Sequence, residues 1–350
     1  MGLLIYGANG YTGRIMIEDA ASFGLTPILG GRSAAVKELA EHKGLEYRIF
    51  NLGNRDETAR ALEGVKVVLH CAGPFRFTAQ QMMEACLITG THYLDITGEI
   101  SVFELGAAYN QKALDKGIMI MPGVGFDVVP TDCLAAFLKE QLPAASSLKL
   151  AFAGLGGSMS KGTTLTMIEG MGEGSKVRKN GVIESVPLGF KTMERSYNGK
   201  NLFFMTIPWG DVSTAFYTTG IPNIETYTTV SKKRYRQLGW MNALAWLLKL
   251  DFIKEFARKK VRQGPAGPSE EIRKHSRTYL WGEVTDKEGK KVEAWYTTPN
   301  GYTVTSHTGL LIAKKVLEGS FKIGFQTPAG LYGQDLIQEL SDITPFTIIS

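Results

Sequence analysis

Leu3-Leu4-Ile5-Tyr6-Gly7-Ala8-Asn9-Gly10-Tyr11-Thr12-Gly13-Arg14 decides the fold. A short apolar run that opens into glycines reads as a buried strand, and the residues from Ile15 to Ala21 read as a helix. Strand, glycine turn and helix together set a pyrophosphate against unpaired backbone N–H groups at the positive end of a helix dipole. The spacing is Gly-x-x-Gly-x-x-Gly, not the commoner Gly-x-Gly-x-x-Gly. Gly7 is expected to allow a sharp turn, Gly10 to remove a Cβ where a phosphate approaches, and Gly13 to let the helix pack closely. The competing reading is a structural turn that binds nothing; the strand before it and the helix after it argue for a dinucleotide.

The second strand, Thr26 to Gly30, ends in Gly31-Arg32-Ser33. A site selective for NAD normally carries Asp or Glu here to accept from the ribose 2′-OH. No acid is present. Arg32 offers a planar cationic fork suited to a 2′-phosphate, and Ser33 adds a hydroxyl. The expected cofactor is therefore NADP(H); a solvated arginine at a helix start is the alternative.

The bulk composition agrees with an enzyme-sized globular chain. At 350 residues, 44% hydrophobic and 21% charged, there is room for two domains with substantial cores. A net charge of +5 does not argue for nucleic acid, and no nucleic-acid-binding motif is present. Cys71, Cys86 and Cys133 are widely separated in apolar contexts and read as reduced core residues, which points to the cytoplasm. Without a CxxC or HExxH motif no metal site is expected. No secretory leader is expected, and Tyr6 stands where a myristoylation motif needs Ser or Thr.

From residue 1 to about 142, strand and helix alternate in short units: strands over Glu46–Asn51, Lys66–Cys71, His92–Ile96 and Gly117–Met121, helices over Ala34–Lys43, Arg55–Leu62, Ala79–Ile88, Phe103–Lys116 and from Pro130 to about Gln141. This predicts an α/β, Rossmann-like, doubly wound parallel sheet. Ligands in such sheets lie beyond the carboxyl ends of the strands, which singles out Ala72–Phe75, Thr97–Glu99 and Pro122–Asp127. Cofactor contacts are expected from Gly7, Asn9, Gly10, Tyr11, Thr12, Gly13, Arg32, Ser33, Ala72, Gly73 and Pro74.

From 143 to 325 the pattern predicts an α+β substrate or dimerisation domain on a mostly antiparallel sheet, with strands at Leu148–Phe152, Asn201–Ile207, Thr214–Thr219, Glu225–Val230, Thr278–Val284 and Val292–Thr298. A helix is expected over Thr308–Leu317, and residues 326–350 are expected to form a C-terminal helix returning to the first domain. The run Trp240–Leu248 is apolar but too short to span a membrane. Between Lys232 and Arg262 ten basic residues stand against two acids. Peripheral membrane contact is one reading of that border; a buried helix or a dimer interface is the other.

Together Gly-Ala-Asn-Gly-Tyr-Thr-Gly-Arg (7–14), Gly-Gly-Arg (30–32), Cys-Ala-Gly-Pro-Phe (71–75), His-Tyr-Leu-Asp-Ile-Thr-Gly-Glu (92–99) and Gly-Phe-Asp-Val-Val-Pro-Thr-Asp (125–132) resemble the saccharopine dehydrogenase-like oxidoreductases. The similarity is greatest to the short branch that includes the trans-acting enoyl reductases. It covers the first 160 residues, extends to Lys161-Gly162-Thr163-Thr164, and returns at 324–329. The glycine turn differs from that of lysine-pathway saccharopine reductases. The resemblance implies an NADP(H)-linked oxidoreductase, acting on a carbonyl, imine or enoyl group of a small or lipid-like substrate, with a homodimer expected. No tyrosine has a lysine four residues later, so the proton-donating pair of short-chain reductases is absent. The remaining candidates are Asp95, Glu99, Asp127 and Lys161, with Asp127 and Asp132 also able to cap the helix near Pro130. A non-catalytic NADP(H)-binding partner and a membrane-surface protein are the alternatives.

Overall fold

The computed structural model describes residues 2–156, 159–197, 199–243 and 245–349. It contains two compact units, Met1–Val129 with Gly301–Tyr332, and Pro130–Asn300 with Gly333–Ser350.

The first unit is built on six strands, β1 (Leu3–Tyr6), β2 (Ile28–Gly31), β3 (Tyr47–Ile49), β4 (Val67–His70), β5 (His92–Asp95) and β6 (Met119–Met121). They lie in the order β6-β5-β4-β1-β2-β3, all parallel, with Gly324–Phe325 added beside β6. The central strands β1 and β4 are buried at every position, as expected of a sheet covered on both faces. Register aligns Tyr6 with Gly30 and with His70, and His70 with Asp95. This row is the carboxyl edge of the sheet, so the turns that follow it emerge together.

The helix Gly301–Leu317 belongs to this unit, whereas the sequence placed its residues in the second domain and started it at Thr308. Its packing supplies the reason. A Cβ at Gly309 would lie 2.9 Å from Met16 Cε and 3.4 Å from Leu69 Cδ2, and Thr308 Oγ1 donates to Val124 O at 2.7 Å. The missing side chain lets the helix settle on the helix Tyr11–Asp19 and on β4. The expected single helix from Phe103 to Lys116 is two, Ile100–Ala108 and Asn110–Lys116, because Tyr109 sits at φ −87°, ψ 1°, outside helical geometry.

The second unit carries a nine-stranded sheet. Its main path runs Thr192–Tyr197, Lys200–Thr206, Asn223–Thr229, Ser147–Leu155, Arg277–Thr285, Lys291–Pro299, Thr347–Ile349, and every adjacent pair is antiparallel except Asn223–Thr229 with Ser147–Leu155. The hairpin Ser175–Lys179 and Val182–Val186 joins at Asn223–Thr229. The mostly antiparallel sheet is thus present. Thr214–Thr219, read as a strand, is instead the end of the helix Asp211–Thr219. Its Thr, Phe and Tyr content suggested a strand, but Val212 and Ala215 are buried at helical spacing and Gly220 closes the helix at φ 71°.

The units divide differently from the expected 1–142, 143–325 and 326–350. Val129–Gln141 presents Leu134 and Leu138 to the second sheet, where a Cβ at Gly282 would lie 2.6 Å from Leu138 Cδ1. Residues 326–350 are not one returning helix. Pro328–Tyr332 is helical within the first unit, and the chain then ends as the strand Thr347–Ile349 of the second sheet. The expected Trp240–Leu248 helix is present as Lys232–Ala243 and Ala245–Leu248; Leu244 lies outside the described residues. No described helix is long and apolar enough to cross a membrane.

Candidate functional site

The glycine turn follows β1 as expected. Gly7 has φ 87°, and a Cβ there would lie 3.0 Å from the backbone of Cys71 and Ala72. Its N–H and that of Ala8 both donate to Gly30 O, at 2.9 and 3.1 Å. The tightest requirement is at Gly13, where a Cβ would sit 2.4 Å from Gly7 O. The helix Tyr11–Asp19 begins at Gly10 with no side-chain cap and no acid in its first turn. An anion therefore meets neither a competing side chain nor a repelling charge there.

The tip of β2 reaches the same place. Asn9 Nδ2 donates to Ser33 Oγ at 3.2 Å, tying the glycine turn to the residue after Arg32. Arg32 is exposed and makes no ion pair among the described residues. Burial pushes the Tyr6 hydroxyl, in the same neighbourhood, up to about 12, against the opposing pull of Arg32. Gly7, Asn9, Gly10, Tyr11, Thr12, Gly13, Arg32 and Ser33 thus form one cradle, with Tyr11 edge-on to Tyr302 at 5.0 Å.

Ala72, Gly73 and Pro74 leave β4 beside Gly7. Glu99 holds the next residues: it accepts from Phe75 N at 2.7 Å, Arg76 N at 3.2 Å and Arg76 Nε at 3.0 Å. Those bonds make Glu99 an anchor for the loop after β4.

A residue the sequence reading passed over completes that anchor. His70 is fully buried; its Nε2 lies 2.9 Å from Thr78 Oγ1, and that hydroxyl donates to Ala72 O at 2.9 Å. With the hydroxyl hydrogen committed to Ala72, the histidine is assigned as the Nε2–H tautomer. Burial lowers its pKa to about 3, so it stays neutral. The only sequence signal was a polar residue at the end of a buried strand.

Asp95 is fully buried and satisfied from three sides: Tyr93 OH at 2.5 Å, Thr97 N at 2.9 Å and Gly123 N at 2.8 Å. It staples the ends of β5 and β6. Burial raises it to about 7 against those bonds.

Asp127 differs. It is half-buried, has no hydrogen-bond partner among the described residues, and does not cap the following helix as the sequence suggested. Burial first, and the Glu99 charge second, raise its carboxyl to about 7. Phe126, just before it, donates its N–H to Thr305 Oγ1 at 3.0 Å, which holds the turn on the helix Gly301–Leu317. Lys161 belongs to the second unit, where its ammonium donates to Arg262 O at 2.9 Å. Asp132 is buried in the first turn of Val129–Gln141.

Residues 3–121 match the family model described as the saccharopine dehydrogenase NADP binding domain. A human saccharopine dehydrogenase-like oxidoreductase is 32% identical over 206 residues, covering 51% of this chain and 47% of that protein. A Caenorhabditis elegans protein named lipid droplet localized protein is 24% identical over 306 residues, covering 75% of this chain and 71% of that protein. The chain thus matches about half the length of the human relative. In fold, it is similar to apo saccharopine dehydrogenase (L-Glu forming) from Saccharomyces cerevisiae, with a TM-score of 0.69 at 14% identity over 100% of both chains. Residues 3–121 thus match an NADP(H)-binding domain family, and the glycine turn has the geometry to hold that cofactor's pyrophosphate.

Proposed function

We propose that this protein is an NADP(H)-dependent oxidoreductase that reduces a carbonyl, imine or enoyl group of a small or lipid-like substrate, with Asp127 handling the proton. The observation that carries this reading is that the carboxyl edge of one sheet carries an uncapped helix start, an Arg32 with no ion pair among the described residues, and an Asp127 carboxyl group with no hydrogen bond among them. The backbone of 7–13 would hold the pyrophosphate, and Arg32 with Ser33 the 2′-phosphate. When bound, the cofactor supplies or accepts the hydride. Reduction of C=X to CH–XH needs one proton besides, and a carboxyl group that titrates near neutrality can give it.

Glu99, His70 and Asp95 position the surrounding loops. The free thiols of Cys71, Cys86 and Cys133 support placement in a reducing compartment.

Calorimetry of the full chain with NADPH and with NADH tests the cofactor, and loss of NADPH absorbance against a panel of aldehydes, imines and enoyl thioesters tests the reaction. The expected result is tighter binding of NADPH and turnover that Asp127→Asn lowers ~10²-fold. Uptake of neither nucleotide overturns the reading. Light scattering in the same preparation tests the expected homodimer.

A further inference from the structure

The helix Asp251–Gln263 is turned inside out. A helix on a globular body normally buries its aromatic side chains and exposes its lysines. Here Lys254 Nζ donates to Glu169 O at 2.7 Å, and Arg258 grips the Glu169 carboxylate through Nε at 2.8 Å and a second nitrogen at 2.9 Å. Glu169 is only 7% exposed, so this bidentate pair is largely shielded from solvent on its acidic side. The clamp leaves Phe252 and Phe256 outward, 70% and 75% exposed. One helical turn separates them, so both rings project from the same face.

That face continues beyond the helix. Trp246 is 64% and Leu250 38% exposed just before it. Lys259 and Lys260 are exposed on the outward side of the helix, and Lys249 precedes it. These three lysines make no ion pair among the described residues, whereas Glu255 is already paired with Arg258 and Arg262. Single exposed apolar side chains are ordinary. Three aromatic rings and a leucine bordered by unpaired cations are the composition of an interfacial helix.

We propose that Trp246, Leu250, Phe252 and Phe256 dock the protein on a lipid surface bearing anionic headgroups. The rings enter the boundary between headgroups and acyl chains, and Lys249, Lys259 and Lys260 meet the phosphates. Charge selects this occupant: pairing this face with itself in a second copy would bring the lysines of both together. The inference does not depend on the cofactor or the reaction.

Cosedimentation of the full chain with vesicles tests it, using phosphatidylcholine alone and phosphatidylcholine with about a third phosphatidylserine. Binding is expected to the mixed vesicles and to weaken on raising the salt. Replacing both rings (Phe252→Ser with Phe256→Ser) should lower the partition coefficient at least ~30-fold. Lys259→Glu with Lys260→Glu should abolish the preference for phosphatidylserine. Both variants should keep the wild-type circular dichroism spectrum and melting temperature. Three results overturn the proposal: no vesicle binding by the wild type, equal binding by the double serine variant, or self-association that the serine variant removes without any vesicle binding.

Discussion

The carboxyl group of Asp127 occupies the space that a side chain at Gly98 would need: a Cβ there would come within 2.9 Å of both Cβ and Oδ2 of Asp127. The two residues belong to the turns after β5 and β6, so the glycine is what allows the carboxyl group its place at the sheet edge. Gly98→Ala should displace Asp127 without touching the pyrophosphate cradle. The expected outcome is a kcat reduced at least ~10-fold with the NADPH Kd within ~2-fold of wild type, measured by steady-state kinetics and calorimetry.

Asp127→Asn removes the proton while keeping the shape. In the reductive direction kcat should fall ~10²-fold. The wild-type profile of kcat/KM should decline as pH rises through about 7, because the acid form is the one that donates. A variant profile that keeps the same limb would assign it to another group.

Stability should move in the same pH window with a definite sign. The folded-state pKa of Asp127, about 7, lies above its ordinary value of 3.8, so the folded protein binds the proton more tightly than the unfolded chain. Unfolding free energy therefore falls as pH rises between those values, by at most ~1.4 kcal/mol per unit from this group, and the loss is complete above the folded pKa. Asp95 contributes with the same sign. Urea denaturation from pH 5 to pH 8 should show a shallower decline for Asp127→Asn than for wild type.

Arg32→Ala should weaken NADPH binding ~10- to 100-fold, the scale of a lost charge-assisted hydrogen bond, and Arg32→Asp should weaken it more. NADH binding should change little in either variant. Equal losses for both nucleotides in calorimetry would remove Arg32 from its selecting role.

At Gly13 the obstacle is backbone, not a movable side chain: the Cβ would stand 2.4 Å from Gly7 O. Gly13→Ala should destabilise the first unit by ~1–3 kcal/mol and lose NADPH binding, read by thermal melting and calorimetry. Gly98→Ala is the contrasting case, since its Cβ meets Cβ and Oδ2 of Asp127 and so displaces that residue instead of the glycine turn.

The parallel alternation of the first unit and the glycine turn after β1 were legible in the chain because their causes are local. A buried four-residue strand, a glycine that reaches φ 87° and a helix start without an acid are all written within about ten consecutive residues. The arginine at the tip of β2 was legible for the same reason. The helix Asp211–Thr219 was misread because its β-branched and aromatic residues favour strands, while burial of Val212 and Ala215 outweighs that preference. Asp127 was read both as a catalytic candidate and as a helix cap, since Asp near Pro is a common start signal. Its unbonded carboxyl group depends on Gly98 and Glu99, residues from another turn.

Short-range stereochemistry and hydrophobic period were therefore enough to write down a doubly wound α/β unit, its glycine turn after β1 and the exposed Arg32 at the tip of β2. The hydrogen bonds of His70 and Glu99, the unbonded carboxyl group of Asp127 among the described residues, the assignment of Gly301–Leu317 to the first unit, and the outward phenylalanines of Asp251–Gln263 came only with the folded chain. Each depends on the burial of a polar group, or on a partner tens of residues away, and burial and charge pairing are properties of the assembled neighbourhood, not of neighbouring letters.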